Sequence, residues 1–113
     1  MNVEQLRDYC LTKEGAEENF PFGPDTLVFK INGKIFLLVS LDRQPLQFNV
    51  KCDPEKALAL REEHSCIIPG YHMNKKYWNT IIVDGSVNNT LLKQWIDDSY
   101  MLVNKKAAKN KTK

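Results

Sequence analysis

A chain of 113 residues with 42% apolar and 27% charged residues has the length and composition of one globular domain with its own core, which excludes a fibrous or wholly disordered protein. No run approaches the roughly 18 apolar residues of a membrane span, and residues 1–5 lack a basic segment leading into an apolar one, so a cytoplasmic chain is expected. The net charge of +2 is uneven: five lysines lie beyond Asn104, and without them 11 basic residues face 14 acidic ones, so the folded body is not a uniformly basic nucleic-acid binder.

Residues 2–12 read as an amphipathic helix, with Val3, Leu6, Cys10 and Leu11 on one stripe. Asn2 and Gln5 stand at capping-box spacing. Residues 15–24 read as a loop, because Pro21, Gly23 and Pro24 oppose helix. Phe20 and Phe22 are expected to anchor that loop to the core. Residues 26–31 form a strand with Leu27, Phe29 and Ile31 on one face. Asn32-Gly33 then marks a two-residue hairpin, whose turn needs positive φ at both positions. Residues 34–40 return antiparallel and are apolar on both faces, as in a central or covered strand. After a turn at residues 42–45, residues 46–51 alternate, with Leu46, Phe48 and Val50 inward and Gln47, Asn49 and Lys51 outward.

Asp53-Pro54 starts a second helix, ending near Ser65. Residues 66–68 make a short strand stopped by Pro69-Gly70. A polar loop over residues 71–76 leads to a fifth strand at 77–83. The last helix spans about 88–103, with Leu91, Leu92, Trp95, Ile96, Ser99, Leu102 and Val103 on one side. Leu27, Phe29, Leu37, Phe48, Val50, Ile82, Trp95 and Ile96 are the expected core. The tail from residue 104 has no periodicity and is expected to be disordered. The domain at residues 1–103 is thus α+β, a two-layer sandwich of an antiparallel five-stranded sheet with helices on one face.

Several ordered motifs carry a resemblance. They are Phe20-Pro21-Phe22-Gly23, the stretch Phe29-Lys30-Ile31-Asn32-Gly33-Lys34-Ile35-Phe36, and Val50-Lys51-Cys52-Asp53-Pro54-Glu55. Pro69-Gly70-Tyr71-His72-Met73-Asn74-Lys75-Lys76-Tyr77-Trp78 and the terminal Ser99-Tyr100 with Leu102-Val103 complete the set. Over residues 3–103 the chain resembles the MmcQ/YjbR family. The resemblance implies a CyaY-like (frataxin-like) fold and DNA binding through two hairpin wings, here the Asn32-Gly33-Lys34 turn and residues 72–76, in a family with no established catalytic activity.

The residues point the same way. Lys34, Lys51, Lys75 and Lys76, with Lys30 beside them, supply cations for phosphates. Tyr71 supplies a ring for a sugar or base, and His72 and Asn74 supply hydrogen bonds. The competing reading is a solvated loop whose Tyr77 and Trp78 belong to the core. The polar face of Gln47, Asn49 and Lys51, with Thr80, is the ordinary wet face of an antiparallel sheet unless Lys75 and Lys76 lie near it. The five tail lysines suit nonspecific nucleic-acid contact or solubility equally. The alternative class is a protein-interaction or small-ligand module, which calls for an apolar pocket beside Tyr71 and Trp78.

His64, Cys66, His72 and Cys52 lack the paired spacing of a zinc site. Glu4, Asp8, Glu14, Glu17 and Glu18 supply the carboxylates that a frataxin-like iron site would need. Cys52 beside Lys51 is the nearest approach to an activated thiol, without a recognisable orienting group. The expectation is therefore a non-catalytic monomer with no cofactor and no metal. Three cysteines without framework spacing fit a reducing compartment.

Overall fold

Local signals set the ends of the elements in the computed structural model, which describes residues 1–70 and 73–104. Helix α1 (Val3–Leu11) begins at Asn2, whose side chain accepts from the Gln5 N–H at 2.8 Å while the Gln5 side chain accepts from the Asn2 N–H at 3.0 Å, a complete capping box. Strands β1 (Glu17–Asn19), β2 (Thr26–Ile31), β3 (Lys34–Ser40) and β4 (Gln47–Lys51) follow. Helix α2 (Pro54–Glu63) is capped by Asp53, and helix α3 (Asn89–Val103) by Asn88, which accepts from the Leu91 N–H at 2.9 Å. Between them run β5 (Ile67–Pro69) and β6 (Trp78–Ile82). The β2–β3 turn has φ of 53° at Asn32 and 76° at Gly33, the positive pair that the Asn-Gly step is suited to.

All pairings are antiparallel, in the order β1-β2-β3-β4-β6-β5. The sheet therefore has six strands, not five. The addition is β1, which lies in the segment expected to be a loop. It pairs Glu17 with Lys30, Glu18 with Phe29 and Asn19 with Val28. Three polar residues carry no alternation, and a short charged strand is how a sheet edge is kept from pairing further.

One row across the sheet, Leu27, Val39, Phe48, Ile81 and Ile67, is buried beneath the helices. Leu6 and Cys10 of α1 and Leu92, Trp95, Ile96, Tyr100 and Val103 of α3 close the same core. Helix α2 is less embedded and buries only Ala57. Seven of the eight expected core residues are buried. Ile82 is only partly buried, and its neighbour Ile81 takes the central position. Phe20 and Phe22 do not anchor the loop inward, being 50% and 65% exposed.

The register slips between Phe29 and Lys30, so Phe36 bulges from β3 and both Phe36 and Leu37 enter the helix-side core. Ser99 of α3, fully buried, serves this irregularity. Its hydroxyl donates to the Phe36 carbonyl at 2.6 Å and accepts from the Lys51 N–H at 2.8 Å. The opposite, open face is not wholly polar. Val28, Leu38 and Trp78 form a second buried cluster there, with Ile35 and Met73 against it. This explains why β3, an interior strand, is apolar on both sides.

Candidate nucleic-acid interface

The antiparallel pairing dictates which lysines meet. β3 starts at Lys34, β4 ends at Lys51 and β6 starts at Trp78, so all three lie at one end of the sheet. The β5–β6 connection, which carries Lys75 and Lys76, closes at that end as well, with Pro69 paired to Asn79. Register then separates the two sides. Lys51 is directly opposite Trp78, a member of the open-face cluster, so it stands on the open face. Lys34 is opposite Ile31, a member of the helix-side core, so it stands on the other side of the same rim. Lys30 lies between Glu17 of β1 and Ile35 of β3, and since Ile35 packs on the open-face cluster, Lys30 shares the open face with Lys51.

The lysine loop is held by Arg61 of α2. Its Nε donates to Asn79 Oδ1 at 2.7 Å, and its Nη2 donates to the Lys75 carbonyl. Asn79 is itself buried and donates to the Ala57 carbonyl at 3.4 Å. Asn74 shapes the turn, its side chain accepting from the Lys76 N–H at 2.9 Å, so at least one of its polar atoms is already engaged. Gly70 is required for close approach: a Cβ there would come within 2.7 Å of Trp78 Cβ. These contacts leave Lys75 and Lys76 exposed, beside Tyr77, with Lys76 Nζ 5.7 Å from the Tyr77 ring centre. Trp78 is buried as the competing reading expects, though in the open-face cluster, whereas Tyr77 is 38% exposed. Met73 of the same loop packs on that cluster, so the lysine loop reaches the face of Gln47 and Asn49.

Tyr71 and His72 lie outside the described residues, as do the tail lysines from residue 105 onward. Among the described residues, Lys34, Lys51, Lys75 and Lys76 form no ion pair. The ion pairs present occupy other cations: Arg7 with Glu18, Lys13 with Asp97 and Lys56 with Asp98.

The open face also holds a concavity of about 440 Å³ between Met73 on one side and Phe22 and Arg43 on the other, floored by Leu38, Asn49 and Thr80. Eight of its eleven lining residues carry polar side chains, and Trp78 is not one of them. Nothing in the strand alternation announces it, because its walls come from two turns and a loop distant in sequence.

Among the described residues no three His, Cys, Asp or Glu side chains come together. Cys10, Cys52 and Cys66 are buried and free. Burial pushes the Cys10 thiol up to about 12 and raises Cys52, the reverse of thiolate activation. Of the N-terminal acids, Glu18 is taken by Arg7 at 2.6 and 2.7 Å. His64 sits edge-on to Trp95, with ring centres 5.2 Å apart.

A search of protein families matches the YjbR model over residues 11–102. The chain is 44% identical over 100 residues to an uncharacterized protein, YbdF, of Escherichia coli O157:H7, covering 88% of this chain and 82% of that one. It is 31% identical to the uncharacterized protein YjbR of Escherichia coli strain K12, covering 88% and 85%. Among solved structures, the Deinococcus radiodurans protein DR2400 superposes with a TM-score of 0.88 at 40% identity, covering 94% of this chain and 80% of that one. A Pseudomonas syringae protein superposes at 0.80 with 29% identity, covering 92% and 100%.

Proposed function

This chain belongs to the YjbR family, and we propose that it is a non-catalytic module that binds nucleic acid, DNA in the first instance, in the cytoplasm and as a monomer. The observation that carries the reading is the set of ammonium groups at one end of the sheet that make no ion pair among the described residues. Lys51 stands on the open face, and Lys75 and Lys76 stand on a loop tethered to α2 by Arg61. A phosphate backbone releases counterions when such groups approach, and this supplies affinity even when the rest of the body is acidic. The tether matters because a loop held in place loses less freedom on binding. Lys34 extends the basic rim around to the helix side, where it meets a second stretch of backbone. Tyr71 and His72 complete the loop in this reading. Asn74 shapes the turn first and contacts the ligand second.

Titration of the protein into a labelled DNA duplex and a labelled single strand, over a range of salt, tests this. The double variant Lys75→Ala, Lys76→Ala is expected to bind more weakly and to lower the slope of log affinity against log salt by about 1 to 2. Wild-type binding that is absent, or unchanged in the double variant, rejects the reading.

A further inference from the structure

We propose that the open-face concavity takes one unpaired nucleobase of a single strand, an inference that rests on the phosphate contacts above and adds a second subsite to them. The argument begins with charge. Asp25 and Asp42 stand at the lining with Arg43, two carboxylates against one guanidinium, so a phosphate would be repelled where a neutral group would not. Shape and chemistry come next. At about 440 Å³ the concavity falls within the usual range of small-molecule sites. Phe22 forms one wall with 65% of its surface in solvent, an aromatic face with nothing stacked on it among the described residues. A planar ring is the occupant that gains most from such a face.

The floor supplies edge recognition. Ser40 and Gln47 lie directly opposite each other across β3 and β4, and among the described residues neither side chain makes a hydrogen bond within the protein. A primary amide both donates and accepts, which matches the mixed edge of a base. The Thr80 hydroxyl donates to Asn49 beneath them and makes that part of the floor rigid.

Geometry joins the site to the cations. Gln47, Asn49 and Lys51 are alternate residues of β4 on the same face, so the concavity begins roughly 7 Å from Lys51 and extends to about 13 Å. A strand whose phosphates lie at Lys51, Lys75 and Lys76 can turn a base into the concavity. A duplex cannot, because its base edges are already paired and its faces stacked.

The full-length protein, titrated with a labelled single strand and with the same strand carrying abasic sites at its centre, tests the site. The abasic strand is expected to bind about tenfold more weakly. Phe22→Ala and Gln47→Leu are each expected to bring the intact strand down to the abasic level and to leave the salt slope unchanged. Both side chains lie outside the helix-side core, and a thermal melt confirms folding. Equal binding of the intact and abasic strands overturns the inference, as does a base preference that survives both substitutions. Salt-dependent binding without base preference defeats this subsite alone, whereas no binding of either strand defeats the phosphate reading and this one together.

Discussion

The Ser99 hydroxyl ties the bulged residue of β3 to the last residue of β4. A serine on the buried side of a helix stands out in a stripe of Leu, Trp and Ile, but the stripe does not say what it bonds. Its partners, the Phe36 carbonyl and the Lys51 N–H, lie 63 and 48 residues away. Ser99→Ala leaves that N–H and carbonyl without their protein partner, which is expected to cost about 1–3 kcal/mol of stability in urea unfolding. A loss near zero would mean that water replaces the hydroxyl. Through the Lys51 N–H, the backbone of an open-face cation is thus tied to a helix on the far side of the sheet. Arg61 acts similarly on the lysine loop. Charge pattern alone makes it one more exposed helical arginine, but it reaches the buried Asn79 and the Lys75 carbonyl.

Element β1 shows how a strand escapes sequence reading. It is held by pairing with β2 and by one ion pair, from Arg7 of α1 to Glu18, with both guanidinium bonds made. The hydrogen bond from Arg7 holds the Glu18 carboxyl below its ordinary value of 4.5. A depressed folded pKa stabilises the fold at pH above the unfolded value, and that contribution is lost as pH falls through the folded one. The stability difference between wild type and Arg7→Ala is therefore expected to be present at about pH 6 and to vanish by about pH 2. Both side chains are solvent-accessible, so the effect is small and screened by salt. A difference independent of pH would show that Arg7 acts through packing. In contrast, β2, β3 and β4 were legible: an Asn-Gly turn and period-two alternation are local properties, and the pairing found is the one they imply.

For the molecule as a whole, the division of charge is the main question. The body carries 11 basic and 14 acidic residues, and the remaining five lysines lie in the tail. If the body's basic rim binds DNA, a chain ending at Asn104 retains salt-dependent binding, and the Lys75→Ala, Lys76→Ala pair still lowers its slope by about 1 to 2. Truncation that abolishes binding altogether would assign the activity to the tail. Two layers make this arrangement possible. With all three helices on one face, the other face of a six-stranded sheet is left for the lysine loop, the Phe22 segment and the Arg43 turn to frame.

Capping boxes, turn glycines and alternating strands follow from interactions within a few residues, and such interactions are written in the order of the amino acids. The helix ends, the central strands and most of the core could be read there, as could the lysine loop. Which side of the sheet each lysine occupies, the existence of the edge strand and the framing of the concavity depend on register between segments far apart in the chain. Register is set by the packing of the entire core, so only the folded molecule decides them.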